Sequence, residues 1–431
     1  MSPASPARSP LPDLIEESFE EATFLWHRWE TELASLTRNL DEVWSWTEDR
    51  LHGALAGVQV TGDGLIEFCR PHLACDDPRR VTVASALLAS RNSTDVIDLL
   101  SDALSRAEGA TLAALARGLE VTGSASVLGS TAGVLINLST AHKATLCRIK
   151  TARSARPGPE MAAAFESGEP DLQVAALRAA RYIADEYLDD WLTAGLRSAH
   201  PQARLAAIET GITRNAPSAW TAAIDAVGSA NPVLAPVLRL IALLGDAEQH
   251  SLIYSSLRVP QFQAQALWAL GHVGTRQAIE VCLQGMNHET LARSASEAYC
   301  HITGADLARD HLAAADSPQD APSFEEDDLE ADLVPTPESL WPLPDADAVR
   351  RHWEAHQGAF QPDVRYVRGR AVNAETLLNA IEAGPMLRRP DLVLNLAART
   401  RGAYDVETRA FAARQRIMMA RGRSALAAGA R

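Results

Sequence analysis

Lysine is almost missing from this 431-residue chain; it occurs only at Lys143 and Lys150, and arginine carries the rest of the positive charge. Acids outnumber bases, 55 against 40, for a formal net charge of −15. That balance lacks the broad positive field that non-specific nucleic-acid binding requires, so nucleic acid is disfavoured as a partner. Aromatics are scarce at 5%. The five cysteines, Cys69, Cys75, Cys147, Cys282 and Cys300, are odd in number and scattered. They read as reduced thiols of a cytoplasmic protein and not as a disulfide framework. No window approaches the ~18 apolar residues of a membrane span, and "MSPASPARSPLPDL" has no apolar core of signal-peptide length. Gly-rich phosphate loops, G-x-S-x-G and H-E-x-x-H are all missing.

What fills the chain is Ala and Leu, residues that lose little entropy in a helix. Residues 1–12 are Pro/Ser-rich and read as disordered. Residues 13–75 form a Trp-rich helical cap, with Phe24, Leu25, Trp29 and Leu33 at one-face helical spacing; Trp44 and Trp46 cannot share a face of one helix. From 76 to 304 a unit recurs. Pro78, Pro170, Pro201, Pro232 and Pro260 each precede an Ala/Leu-rich helical stretch, the last four at gaps of 31, 31 and 28 residues. Further starts fit near Gly109, Thr140 and His288. Proline suits a helix's first turn because its missing N–H has no partner there. Val174, Leu177 and Ala180 correspond to Leu205, Ile208 and Gly211, and to Ala264, Leu267 and Leu270. Each stretch is followed by a second helix, and two helices in about 30 residues must stack on neighbours to bury both apolar faces. The Pro232 unit slips by about a residue and carries an internal Pro236.

Copies starting at Asp171, Gln202 and Gln261 resemble short-unit HEAT repeats, which implies an all-α, HEAT-like α-solenoid with an irregular, mostly helical C-terminal extension. Residues 305–347 read as an acidic linker or arm, with nine acids and no base between Glu325 and Asp347. Residues 348–431 invert the charge: from Val349 onward fifteen Arg face seven acids. Helices are expected near 346–357, 374–383, 387–399 and 406–419, with an extended piece at Tyr366–Val372. Together with the Trp-rich start, the strings "LWPLPDADAVRRHWEAHQGAFQPDVRYVRGR" and "TRAFAARQR" resemble a bacterial HEAT-repeat family associated with type VI secretion gene clusters. The resemblance implies contact with secretion-spike or effector proteins and supplies no catalytic residues.

Three short strings could carry chemistry. Cys69, His72 and Cys75 lie at three-residue spacing and could offer zinc three ligands, but Pro71 interrupts the turn and no second Cys pair follows; buried thiols beside a loop His are the plainer reading. His288-Glu289 has no second such pair in any other repeat, so a two-metal site of the HEAT hydroxylase kind lacks its ligands. Cys300 and His301 point about 100° apart on a helix, too far for the ring to activate its neighbouring thiol. The array also lacks the basic excess of a HEAT-fold glycosylase groove. The expectation is a non-enzymatic protein-binding scaffold without metal or cofactor, which the resemblance implies is a cytoplasmic adaptor or chaperone for a secretion cargo or spike component; the alternatives are an immunity protein that neutralises a toxin and, behind it, a HEAT-scaffold enzyme or a nucleic-acid binder. Candidate anchors are Trp341, Trp353, Arg365, Tyr366, Arg368 and Arg370, on or beside the segment that departs from the repeat. Trp341 and Trp353 have a second reading, docking that segment onto the last repeat. The acidic arm is also a candidate to fold back onto the Arg-rich tail.

Overall fold

The computed structural model describes residues 12–153, 160–181, 188–229, 231, 233, 235–314 and 341–429. About three quarters of them are helical, packed helix on consecutive helix in an all-α, solenoid-like fold. Residues 1–11 of the start expected to be disordered (1–12), Pro232 and most of the acidic arm (315–340) lie outside the described residues, while Pro12 is corrected to the first residue of a helix. Two compact units emerge. One comprises residues 1–33, 38–214 and 400–431; the other, 34–37 and 215–399. The division thus falls inside the expected array and inside the expected C-terminal region.

The first unit opens with α1 (Pro12–Glu32), which buries Phe19, Ala22, Leu25, Trp26 and Trp29. The expected one-face grouping of Phe24 with Leu25 and Trp29 is corrected. The buried stripe runs through Trp26 instead, and Phe24 is 61% exposed. Asn39 and Glu42 form a reciprocal capping box that starts α2 (Leu40–Val43). A π-helical turn at Trp44–Glu48 leads into α3 (Asp49–Gln59). That turn buries Thr47 and Glu48 and leaves Trp46 exposed, its ring covered by the Arg38 guanidinium at 4.7 Å. The short α4 (Leu65–Cys69) leads to the repeats.

These are α5 (Pro78–Ala89) with α6 (Thr94–Arg106), α7 (Gly109–Thr122) with α8 (Ala125–Leu135), α9 (Thr140–Ala152) with α10 (Glu160–Glu166), α11 (Pro170–Ala179) with α12 (Leu188–Leu196), and α13 (Pro201–Thr213). The starts at Pro78, Gly109, Thr140, Pro170 and Pro201 are those read from the sequence. First helices stack on one another in order, α5 through α13. Small residues let them approach: a Cβ on Gly118 would sit 2.7 Å from Ser85 Cβ. Hydroxyls then bridge neighbouring repeats, Ser85 Oγ donating to Leu115 O (2.8 Å), Thr122 Oγ1 to Ala86 O (2.8 Å) and Thr210 Oγ1 to Leu177 O (2.9 Å).

The second unit continues the pattern with α14 (Pro217–Gly228), α15 (Val237–Leu244), α16 (Ala247–Ser256), α17 (Gln263–Val273), α18 (Arg276–Gly285) and α19 (Ala292–Thr303). Here α15, α17 and α19 stack. The slip in this repeat reflects Pro236, which caps α15 and delays it to Val237. Beyond the array come α20 (Ala346–His356), capped by Asp345, then strands β1 (Tyr366–Val367) and β2 (Arg370–Ala371), α21 (Ala374–Ala383) and α22 (Arg389–Arg399). The strands pair antiparallel, Tyr366 with Ala371 and Val367 with Arg370. Arg368 and Gly369 form the tight turn with φ of 49° and 76°, both left-handed as a two-residue hairpin of this twist requires.

The hairpin has a physical purpose. A helix leaves its last carbonyls without intrahelical donors. Tyr366 N donates to Gly274 O (2.7 Å), Arg368 N to His301 O (2.8 Å) and Gly369 N to Ile302 O (2.8 Å). The Arg365 guanidinium reaches Val273 O (3.1 Å), His272 O (2.8 Å) and Ala242 O (2.7 Å). One short string therefore clips the carbonyl ends of α15, α17 and α19.

The chain then rejoins the first unit as α23 (Ala412–Gly429). A helix over 406–419 is corrected to this later start. Residues 400–411 form turns that bury Tyr404 and Val406, with Arg401 and Gly402 at φ of 52° and 81°. Ala412 N donates to the Glu48 carboxylate at 2.7 Å, which pins the helix start there. No described helix is long and apolar enough to cross a membrane.

The clip makes Gly304 demanding. It sits at φ 78° and a Cβ would lie 2.8 Å from the Arg368 carbonyl, whereas Gly109 (φ 51°) has open space. Gly304→Ala should lower unfolding free energy by more than about 1 kcal/mol, and by more than Gly109→Ala does, in urea titrations of the full chain. Equal costs would mean the clip yields freely.

Candidate functional site

Arginines recur at one place in three successive repeats of the first unit. Arg117, Arg148 and Arg178 each stand eight residues after the start of α7, α9 and α11. All three line one open cavity of about 520 Å³, with Glu120, Thr145, Asp171, Glu407 and Arg409. Their surroundings grade along the row. The Arg117 side chain is only 12% exposed and bonds Glu30, Glu120 and the Arg409 carbonyl. Arg148 is 52% exposed and meets one carboxylate, Glu120, at 3.2 Å. Arg178 is exposed and has no ion pair among the described residues. Burial raises the Glu407 pKa, opposed mainly by the Arg409 backbone N–H. Counting side chains, four guanidinium groups face three carboxylates around the cavity.

The Arg-rich tail belongs to this surface too. Arg409 reaches Glu30 (3.3 Å), Arg416 reaches Asp41 (2.7 Å), and Arg414 donates to the Ala152 carbonyl (2.7 Å). Phe411 enters the cluster of Trp26, Trp29 and His52, with ring centroids 4.6–5.7 Å apart. Trp29 Nε1 donates to the Glu48 carboxylate at 3.0 Å.

A second cluster lies in the other unit, where α22 crosses the array. The Asp391 carboxylate accepts from Arg239 Nη1 (2.8 Å), Trp268 Nε1 (2.8 Å) and His272 Nε2 (3.0 Å). Burial opposes its charge, but the His272 bond and the Arg239 charge hold its pKa well below the usual carboxylate range. Arg388, 0% exposed, forms a bidentate pair with Glu297, donates to Trp268 O (2.8 Å) and stacks on the Trp268 ring at 3.4 Å. Burial, with Arg388 nearby, lowers the pKa of His272 and of His301, whose rings meet edge to face at 5.1 Å. Beside the cluster opens a cavity of about 370 Å³, lined by Leu36, Trp268, Trp341, Arg239, Arg293 and Asp391 among others.

The six anchors read from the sequence separate. Arg365, Tyr366 and Arg368 belong to the carbonyl clip, and Tyr366 is buried. Trp353 is buried against Phe360 (5.3 Å) with Arg276 over its ring at 5.8 Å. Arg370 is exposed on β2. Trp341 alone of the six lines the 370 Å³ cavity, its Nε1 donating to Ser296 Oγ at 2.9 Å. Arg117, Arg148, Arg178, Arg239, Glu297, Arg388 and Asp391 escaped the sequence reading. Their signal was an Arg at one repeat position, and charges inside apolar strings such as "SASEAYC" and "RRPDL".

Cys69 is buried, and burial pushes its thiol up to about 12; Cys282 rises to about 12 for the same reason. Such thiols stay protonated and are poor nucleophiles. His72 stacks on Phe19 at 4.4 Å, and Cys75 Sγ donates to the His72 carbonyl. Among the described residues no three His, Cys, Asp or Glu side chains converge as a metal site. No protein-family model, curated protein or solved structure matches the chain.

Two expectations follow. Removing one partner of the buried pair, as in Arg388→Ala or Glu297→Ala, should cost about 3–5 kcal/mol, while the double variant Arg388→Met/Glu297→Leu should recover most of it. Chemical unfolding of the four proteins checks this; additive single losses would contradict it. Separately, burial and then the Arg365 charge lower His250 from 6.5 to about 4, and His272 and His301 shift the same way. Folded histidines thus stay neutral where unfolded ones protonate, so stability is full above about pH 6.5 and falls as pH drops toward 4. The melting temperature should be lower at pH 5.0 than at pH 7.5, and His250→Gln should shrink the difference.

Proposed function

We propose that this protein is a non-enzymatic scaffold that binds an extended acidic segment of another protein across the Arg117–Arg148–Arg178 row. The supporting observation is that one residue type recurs at one helical position in three stacked repeats, enclosed at Arg117 and exposed at Arg148 and Arg178. A segment laid across successive repeats meets such a guanidinium once per repeat, and arginine's planar fork suits bidentate capture of carboxylates. Arg117, tied to Glu30 and Glu120, anchors the row's orientation; Arg148 and Arg178 remain for the partner. The raised thiols of Cys69 and Cys282 favour a binding role over thiol chemistry.

The resemblance of "LWPLPDADAVRRHWEAHQGAFQPDVRYVRGR" and "TRAFAARQR" to a family found with type VI secretion genes supports a cargo or spike component as that partner, with this chain its cytoplasmic adaptor or chaperone. The test is affinity capture from the native bacterium with wild type and with Arg148→Glu/Arg178→Glu. A secretion component retained by wild type and lost from the variant is the expected result, with binding that weakens as salt rises. An identical set of captured proteins would overturn the reading.

A further inference from the structure

The 370 Å³ cavity of the second unit is built unlike the open groove. Its apolar wall is Trp268, Trp341, Leu36, Leu387 and Pro390, and its polar wall carries Arg239 and Arg293. Two carboxylates also face it, yet both are already satisfied. Asp391 takes three donors, and Glu297 takes the bidentate Arg388 fork. Counting Arg388, which pairs with Glu297 behind the wall, three guanidinium groups accompany two carboxylates, leaving one positive charge in excess beside two indole rings.

Arg293 supplies that excess. It is half-buried, and its Nε is committed to the Trp341 carbonyl at 2.9 Å, which fixes the plane of the fork. Its two terminal nitrogens form no hydrogen bond or ion pair with the described residues. That fork is oriented and open to an acceptor entering the cavity. A cation would meet two arginines here. A neutral sugar would find the cavity's carboxylate acceptors already engaged. An anion with a flat apolar body meets each wall with its complement, and the volume lies within the roughly 300–1,000 Å³ of small-ligand sites.

We infer that this cavity binds a small organic carboxylate with a planar apolar body, its charge held by Arg293 and its body against Trp268 and Trp341. The site rests on residues of the second unit alone, so it stands or falls separately from the arginine row. The carboxylate has two sources of equal chemistry, a free aromatic acid or the terminus of a peptide ending in an aromatic residue.

The test uses the full chain and titration calorimetry with 2-naphthoate and its neutral counterpart 2-naphthamide. Naphthoate should bind at least ten-fold more tightly than the amide. Arg293→Gln should erase that preference, Ala264→Phe should fill the exposed rim and abolish binding of both, and Arg370→Gln should change neither. Unchanged melting temperatures would establish that the variants fold. Displacement of naphthoate by Gly-Gly-Gly-Phe, and not by its C-terminal amide, would support the site with a chain end as its source; no displacement alongside naphthoate binding would support a free acid. Failure of naphthoate to bind, or equal binding of acid and amide, would overturn the inference.

Discussion

A two-helix hairpin of about thirty residues has more apolar surface than its own partner helix can cover, and every other feature of this chain answers to that surplus. Stacking resolves it along the row of first helices, where Ala, Ser and Gly permit approaches such as that of Gly118 to Ser85. Close approach brings backbone within reach of side-chain hydroxyls, so Ser85, Thr122 and Thr210 hydrogen-bond across repeats without interrupting apolar contact. The same small residues that let helices pack also let polar groups be satisfied inside the stack.

Stacking leaves a second problem, the carbonyl ends of the helices, and arginine is how this chain meets it. Arg365 serves three carbonyls at the ends of α15 and α17, and Arg414 serves Ala152 O at the end of α9. A guanidinium offers five donors in a plane and stays charged when buried, whereas a lysine ammonium is more strongly hydrated and loses its charge more readily on burial. Burial lowers the Arg365 pKa to about 10, still far above neutrality. The near-absence of lysine therefore has structural consequences: many arginines of the C-terminal region are fasteners, not surface charge.

Legibility in the sequence follows the same division between local and distant causes. Repeat starts were legible because Pro at a first turn and a stride near thirty are local signals, and five of them match helices to the residue. The helix expected near 374–383 was likewise legible, and Asn373 caps it, its side chain accepting from Thr376 N. The fate of Arg365 and Tyr366 was not, since a carbonyl end about ninety residues away carries no mark in the local sequence. Phe24 misled because a stripe defined by spacing alone admits neighbouring solutions; the packing of α1 on α3 chose the one through Trp26. The late start of α23 follows from Glu48, more than three hundred and sixty positions earlier in the chain.

The arginines also divide by what surrounds them, and that division separates architecture from binding. Arg388 is enclosed, paired on both carboxylate oxygens and stacked, so its pair with Glu297 adds little net stability over an apolar substitute while making any single loss severe. Its contribution is to register: α22 lies across α15 only where Arg388 finds Glu297 and Asp391 finds Arg239 and His272 together. Arg148 and Arg178 are exposed and, among the described residues, meet one carboxylate and none, which is what the proposed binding role asks of them. Arg293 stands between these cases, held at Nε and, among the described residues, without a partner at its tips. Residue type alone does not decide whether an arginine fastens or recognises. The number of its donors that its own fold leaves without an acceptor sets which of the two roles is open to it.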